Sequence, residues 1–299
     1  KTGKGSVRMY APLRQPSNSS DSLDLKLGII HLENYDLTYN DENQKLRTSA
    51  KIGKIEVEGE QLFLTQPFVS LKKLSIQNTD LAFRSGSLTL DITELNTQLD
   101  SFRFSPDYIV GKLQAGSFIE KRGFVLRQLH TDFLYTNNQT SLQNLLLQTN
   151  ETLLQDRAIL RYRSLEELSK NIENVEVDVH LKKSQLGFRD ILTWMPSLKK
   201  TIPFQKNPTA IVKLNGLIAG KLNNLRLKDV DVSTLENTRL QVAGQIVGLP
   251  NVQKIGLDLT VKELSSSKRD LQRILPDNTL PDSIEIPTIL HLAGTIKGG

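Results

Sequence analysis

Four histidines, His31, His130, His180 and His291, are the residues whose type suits a metal ligand or a general base. They are far apart in the sequence, and none has a second histidine or a carboxylate at the helical spacing that metal sites use. We therefore interpret them as residues on the polar faces of strands. The chain contains no cysteine, which excludes disulfides, thiolate metal sites and cysteine nucleophiles and leaves the redox compartment open.

Other signatures of catalysis are weak. The opening KTGKGS, residues 1–6, contains the residue types of a phosphate loop, but it lacks the Gly-x-x-x-x-Gly-Lys-Ser spacing and a preceding strand. No Gly-x-Ser-x-Gly nucleophile elbow is present. No carboxylate stands in a segment whose pattern indicates burial. The sequence thus predicts no catalytic residue, no metal site and no cofactor, and we expect that the protein is not an enzyme.

The composition is that of a folded protein with one to three domains. Of 299 residues, 38% are hydrophobic and 24% are charged. The net charge is +5, but basic residues are scattered among acidic ones, so nucleic acid is not indicated as a partner. No apolar run approaches the roughly 20 residues of a membrane helix, and no signal-peptide pattern begins the chain. Because the first residue is Lys1 rather than methionine, we expect further sequence upstream.

Apolar and polar residues alternate along most of the chain, as in the run from Val175 to Leu181. A period of two indicates strands with one apolar and one polar face. Asn, Gly, Asp and Pro interrupt these runs at short intervals, as turns between antiparallel strands require. The pattern predicts a mainly β protein built on an antiparallel sheet.

Helical spacing appears over residues 164–173, 187–196 and 267–276. Ser164 with Glu167 has the pattern of a capping box, and Ser267 with Asp270 is predicted to cap the third helix. Proline ends the second and third helices. Such short helices are unstable alone, so we expect them to lie on the sheet. Trp194, the only tryptophan, is predicted to plug the second helix against it.

A strand followed by a short helix and a proline occurs twice, 80 positions apart. Downstream, IVKLNGLIAG, residues 211–220, returns as ILHLAGTIKG, residues 289–298. We interpret this as one supersecondary unit used twice. The matched residues are Arg189, Asp190, Trp194, Met195 and Pro196 with Arg269, Asp270, Ile274, Leu275 and Pro276, and Gly216 and Gly220 with Gly294 and Gly298. Because the last segment opens a repeat without finishing it, we expect an excerpt of a longer repetitive protein.

A shorter Asn-x-Asp step interrupts the alternation inside long strands. Asn34 and Asp36 recur as Asn78 and Asp80, and more loosely within residues 225–233. We interpret the step as a bulge or corner, at which short polar side chains satisfy the backbone groups that the bend frees. A calcium loop is the alternative, but it requires more oxygen ligands at alternating positions.

The segments LNGLIAGKLNNLRLKDVDV, TRLQVAGQIVGLPNVQKIGLDLTV, SKRDLQRILP and IEIPTILHLAGTIKG resemble the AsmA-like superfamily, specifically the TamB type of Bacteroidota-like bacteria. The family's Gly-Leu-Pro-Asn after a strand is present at residues 248–251. The resemblance is clearest from Val175 onward and continues more weakly from Leu23. It covers strand patterns without catalytic signatures.

The resemblance implies an elongated, folded-over antiparallel β-sheet, a β-taco or repeating β-groove, with a few short amphipathic helices. It implies a bridge-like lipid transfer protein of the periplasm, anchored in the inner membrane and reaching the outer membrane, where it takes part in outer-membrane biogenesis. Phospholipids would be its cargo and an outer-membrane barrel its partner, through regions outside this sequence. The expected organisation is a basic, Ser/Asn-rich connecting segment (1–22), N-terminal groove repeats (23–174), and groove repeats with strand-helix-proline units (175–299) that continue beyond the C-terminus.

The alternation itself favours lipid binding, because a curved sheet with one apolar face must curl on itself or hold something apolar. About half of the candidate groove residues are expected to pack against the opposite wall or the helices instead. The candidates are Leu25, Leu27, Ile29, Val57, Ile76, Leu88, Leu90, Phe102, Val175, Val177, Val179, Leu214, Leu225, Leu227, Val242, Leu257 and Leu259.

Two other classes of function remain open. A structural or adhesive β-repeat with a closed core would show the same alternation without a ligand. A carbohydrate-active enzyme is disfavoured, because an aromatic platform and a carboxylate pair are missing from the sequence. Ser22 and Ser283 each fit the Asp-Ser/Thr-apolar pattern of O-glycosylation in some Bacteroidota.

Overall fold

The chain forms two compact units, unit 1 (residues 1–136) and unit 2 (residues 137–299). The structure is a computed structural model, and it describes residues 6–9, 24–25, 28–41, 46–63, 68–86, 88–276, 279 and 287–298. The KTGKGS opening up to Gly5, and the predicted glycosylation sites Ser22 and Ser283, lie outside these residues. No helix among them is long and apolar enough to cross a membrane.

Unit 1 is an antiparallel sheet. Its strands are β1 (Ser6–Met9), β2 (Asp24–Leu25), β3 (Ile29–Asp41), β4 (Leu46–Phe63), β5 (Phe68–Ser85), β6 (Leu88–Ser105), β7 (Tyr108–Glu120), β8 (Val125–Leu126) and β9 (Gln128–Thr136). Strands β3 to β7 pair in chain order, and β9 pairs antiparallel with β7. The short strands β1, β2 and β8 pair with β3, β4 and β7.

Unit 2 is an antiparallel meander with short helices between its strands. Its elements are β10 (Gln139–Gln148), β11 (Leu153–Arg161), α1 (Glu167–Lys170), β12 (Glu176–Gly187), α2 (Phe188–Trp194), β13 (Ile211–Lys221), β14 (Asn224–Thr234), β15 (Thr238–Val247), β16 (Gly256–Ser267), α3 (Lys268–Ile274) and β17 (Ile289–Gly298). Each strand pairs with the next from β10 to β17. The prediction of a mainly β, antiparallel fold with a few short helices is confirmed.

The predicted repeat in unit 2 is confirmed. Strand β12 and helix α2 have the same lengths as β16 and α3, 12 and 7 residues. The pairing also repeats, because Val177 lies opposite Gly220 as Leu257 lies opposite Gly298. Each repeat therefore contains a hairpin, a third strand that leads into a helix, and a fourth strand that returns along the third.

The helix ends agree with the predictions in part. Ser267 Oγ accepts a hydrogen bond from the Asp270 N–H at 3.1 Å, so the predicted cap of α3 is confirmed. The capping box at Ser164 is wrong, because α1 begins at Glu167 without a side-chain cap. The Glu167 carboxylate instead accepts a hydrogen bond from the Arg163 N–H. It therefore ties the first turn of α1 to the backbone that precedes it.

The prediction that Trp194 plugs α2 against the sheet is wrong. Its side chain is 43% exposed, and the neighbouring Met195 is 53% exposed. Phe188 and Leu192 are the buried residues of α2. Phe188 packs against Phe204, with ring centroids 4.4 Å apart. The two buried side chains are four positions apart in the sequence, so they share one face of the helix, while Trp194 lies on another face.

The Asn-x-Asp steps are sites of backbone distortion, as predicted. Asn34, Asn78 and Asp229 have φ values of 57°, 48° and 48°, in the left-handed region. Polar side chains satisfy the backbone nearby: Asn96 Oδ1 accepts from the Asn78 N–H at 3.0 Å, and Asp80 Oδ1 accepts from the Glu94 N–H at 3.1 Å. On β14, apolar residues occupy odd positions before Asp229 and even positions after it, so the residue shifts the alternation by one.

Candidate functional site on the apolar face of unit 2

Rows of apolar residues cross the sheet of unit 2 from β12 to β17. Residues directly opposite each other in antiparallel strands point to the same side of the sheet, so each row lies on one face, which we call the apolar face. The rows are Val177, Gly220, Leu225, Ile246, Leu257 and Gly298; Val179, Ile218, Leu227, Gly244, Leu259 and Ile296; Val230, Val242, Val261 and Gly294; and Leu214, Val232, Leu240, Leu264 and Leu292.

The apolar face is buried at its centre and exposed towards β17. Val230, Val242 and Val261 are 8%, 4% and 6% exposed and form a cluster with half-buried neighbours on the same face. On β17, by contrast, Leu292 and Ile296 are 51% and 47% exposed. Burial therefore decreases along the face in the direction of its last strand.

The predicted groove residues of unit 2 lie together. Val175 precedes β12 and is 2% exposed. The remaining eight belong to the rows of the apolar face, and these are Val177, Val179, Leu214, Leu225, Leu227, Val242, Leu257 and Leu259. Leu225 and Val242 are buried, while the other six are half-buried.

In unit 1 the predicted residues divide. Val57, Ile76, Leu90 and Phe102 are half-buried and lie opposite other apolar residues, namely Leu74, Ile55, Phe83 and Leu71. Ile29 is 59% exposed, lies opposite Glu58 and shares its face with His31, so the structure places it on the polar face. Leu25 and Leu88 lie in strands whose backbone the structure describes, but the side chains of these two residues are not described. Leu27 is outside the described residues.

Several residues of the apolar face were absent from the predicted set. Val230, Val232 and Leu264 follow the points at which β14 and β16 shift their alternation. A strict period of two, continued from Leu225 and Leu227 on β14 and from Leu257 and Leu259 on β16, assigns them to the opposite face. The shift was signalled in the sequence by the Asp-x-Asp step at Asp229, which could have been used to change the phase.

The opposite face of unit 2 is ionic. Arg239 on β15 contacts Asp231 on β14 at 2.8 Å, and Lys262 on β16 contacts Asp229 at 2.7 Å. The hydrogen bond from Arg239 lowers the pKa of Asp231, and the hydrogen bond from Lys262 lowers the pKa of Asp229. A face built from charged cross-strand pairs is suited to water rather than to an apolar ligand.

The histidines contribute to polar contacts. His31 lies 3.3 Å from Glu56, His180 lies 3.3 Å from Asp156, and the His130 ring nitrogen Nδ1 lies 3.1 Å from the Gln114 carbonyl oxygen. Across the part of the chain that the structure describes, no three His, Asp or Glu side chains are grouped as metal ligands.

A hydrogen-bonded carboxylate holds each repeat helix to the preceding hairpin. Asp190 on α2 accepts hydrogen bonds from the hydroxyls of Thr149 and Thr152 at 2.5 and 2.6 Å. Asp270 on α3, which is 0% exposed, accepts from the Asn237 N–H at 2.8 Å and the Thr238 hydroxyl at 3.2 Å. The Arg-Asp pair of the sequence repeat therefore includes a residue that fixes one end of the strands.

No protein-family model, curated protein or solved structure matches the chain. The resemblance to the AsmA-like superfamily therefore comes from the strand patterns of the sequence alone.

Proposed function

We propose that this chain is a segment of a lipid transfer conduit, in which acyl chains lie on the apolar face of a folded-over sheet. The observation that carries the proposal is the continuity of that face across six strands of unit 2, from Val177 on β12 to Ile296 on β17. A sheet whose apolar face is only half-buried at most positions gains by binding apolar material. Because the opposite face carries charged pairs, apolar material would bind only on the apolar face.

The dimensions of the face suit an acyl chain. Six strands at a spacing of about 4.8 Å extend over roughly 24 Å. One leaflet of a bilayer core, half of about 30 Å, is shorter than this. A lipid tail that lies across the strands would gain about 0.8 kcal/mol for each methylene removed from water. Because neighbouring rows have similar composition, the tail would move between them with little net change in free energy.

The TamB-type resemblance supports the cellular setting of the proposal. Under it, the cargo is phospholipid, the location is the periplasm between the two membranes, and the activity is transfer rather than catalysis. The same resemblance implies an outer-membrane barrel as partner.

A closed structural repeat is the second candidate function. It is favoured by the burial of Val230, Val242 and Val261, which are 8% exposed or less. If the remaining residues of the apolar face pack as tightly in the whole protein, they provide a core and bind no ligand. The two candidates differ in whether lipid contacts the half-buried rows.

Photocrosslinking at adjacent residues on opposite faces tests the proposal. Leu259 lies on the apolar face, and Thr260, the next residue of β16, is exposed on the other face. Leu227 and Arg226 provide the same comparison on β14. Asp178 is a poorer control for Val177, because its carboxylate lies 3.2 Å from the Arg157 guanidinium.

We expect phospholipid in organic extracts and in native mass spectra of the purified chain, with crosslinks from Leu259 and Leu227 but not from Thr260 and Arg226. Leu259→Asp should reduce lipid content and transfer between vesicles, whereas Thr260→Asp should leave both unchanged. A folded, lipid-free protein without crosslinks at either position would favour the closed repeat.

A further inference from the structure

The C-terminal end of α2 presents two adjacent large apolar side chains to solvent. Trp194 is 43% exposed and Met195 is 53% exposed. Phe188 and Leu192 are the buried residues of this helix. A short helix that is anchored on one side can therefore present this end outward.

The equivalent end of α3 is covered. Ile274 and Leu275, which match Trp194 and Met195 in the repeat, are half-buried. Lys206 Nζ donates hydrogen bonds to the carbonyl oxygens of Gln272 at 2.9 Å and Leu275 at 3.0 Å. Asn207 Nδ2 donates to the Arg273 carbonyl oxygen at 2.8 Å. The segment that follows α2 thus lies against the end of α3, and the exposure at α2 is a difference between two copies of one unit.

The residues that follow the exposed pair are basic. Lys199 and Lys200 are exposed in the single helical turn of residues 196–200. Asp190 is the only carboxylate between residues 188 and 201. It accepts hydrogen bonds from the hydroxyls of Thr149 and Thr152. We call Trp194, Met195, Lys199 and Lys200 the basic-aromatic tip.

We propose that the basic-aromatic tip docks on the surface of a membrane that contains anionic phospholipids. Tryptophan has an apolar body and one N–H donor, which suits the boundary between headgroups and acyl chains. Methionine adds apolar area at the same depth, and the two lysines meet the negative surface potential of anionic lipids. This inference depends on the tip and not on the apolar face of the sheet.

A membrane surface fits the tip better than a protein partner does. A stable protein interface buries about 800 Å² on each partner and requires some 20 residues, whereas the tip offers two large apolar side chains beside two charges. Shallow insertion into a lipid interface needs only such a small apolar group together with electrostatic attraction.

The sole tryptophan supplies the measurement. Vesicles of phosphatidylcholine with phosphatidylglycerol, added to the purified chain, should shift the Trp194 emission to the blue in a saturable manner, and salt should weaken the effect. Lys199→Glu with Lys200→Glu should weaken partitioning at least roughly five-fold. Lys254→Glu with Lys268→Glu, an equal charge change at two exposed positions outside the tip, should leave it unchanged.

The proposal is overturned if anionic vesicles produce no shift, if pure phosphatidylcholine produces an equal one, or if the double variant partitions like the unsubstituted chain. Leu259→Asp should keep the vesicle response while losing lipid from the apolar face. Docking and acyl-chain binding can therefore fail separately.

Discussion

Single residues in the left-handed region set the phase of the alternation in long strands. The part of the chain that the structure describes has nine non-glycine residues with positive φ, and seven of them stand where apolar residues change from odd to even positions or the reverse. These seven are Asn34, Asn78, Glu94, Ser101, Asn144, Lys183 and Asp229. Such a residue reverses the side to which the following side chains point, so the apolar side chains stay on one face beyond it.

Asn78 allows a test of this role. Asn78→Val should lower the free energy of unfolding by about 1–2 kcal/mol, because a β-branched residue is strained at a φ of 48°. Asn78→Gly should cost less, since glycine adopts this conformation readily. Urea unfolding of both variants measures the difference. Equal losses for valine and glycine would show that the asparagine side chain matters more than the backbone conformation.

At this scale the sequence was informative where the residue type was distinctive. The distortions at Asn34 and Asn78 were predicted because the Asn-x-Asp step interrupts the alternation and recurs, and the copy that contains Asp229 matched more loosely. Glu94 and Lys183 have the same conformation without a distinctive residue type, so the sequence marks them only through the change of alternation. The prediction for Trp194 was wrong because its apolar character indicates burial, whereas the buried residues of α2 are Phe188 and Leu192.

The repeated element of unit 2 depends on a buried carboxylate between the helix and the hairpin. Asp270→Ala should lower the free energy of unfolding by about 1–3 kcal/mol, because it leaves the Asn237 N–H and the Thr238 hydroxyl without this acceptor. Thermal or urea unfolding measures it. Asp258→Ala is the control, since Asp258 is exposed and lies 3.4 Å from Lys297 in a surface pair that contributes little. Equal losses from the two substitutions would contradict the role of Asp270.

The charged pairs between strands should make stability depend on pH. Because Arg239 lowers the pKa of Asp231 in the folded state, the pair stabilises the fold above the carboxyl group's usual pKa of about 4. This stabilisation is lost as the pH falls through the lowered pKa. Arg239→Gln should therefore destabilise the protein at neutral pH and converge with the unsubstituted chain at low pH.

Arg226→Gln provides the control, because it removes the same charge from the exposed side of β14 without contacting Asp231. Urea unfolding across the acid range compares the three proteins. A constant difference between Arg239→Gln and the unsubstituted chain at every pH would show that Asp231 is not the group responsible.

At the scale of the whole molecule, a shared apolar face predicts which positions along a strand contact lipid. A crosslinker moved along β14 should capture lipid from Leu225 and Leu227, then from Val230 and Val232, and not from the residues between them. The preferred positions thus change from odd to even numbers at Asp229, which has a φ of 48°. Lipid capture at odd positions throughout would contradict the shared face, and capture at every position would indicate non-specific binding.

The fold class was predictable from sequence because alternation and turn residues report local geometry. The repeat was predictable because Arg-Asp, proline and glycine recur at fixed spacing, and the structure keeps that spacing. The division between the units at residue 136 was not, since Thr136, Asn137 and Asn138 resemble the residues of any other turn. Burial across the face was also inaccessible, because it depends on which strands become neighbours.

In a strand that contains a left-handed residue, the alternation is read in a frame of two residues, and the left-handed residue changes the frame. Deleting one residue elsewhere in such a strand would turn every later side chain over, as a frameshift changes every later codon. Deleting a residue close to Asp229 would remove the shift of one residue that is already present there, so the later side chains could keep one regular alternation. Insertions and deletions of one residue are therefore expected to concentrate near these positions when related sequences diverge.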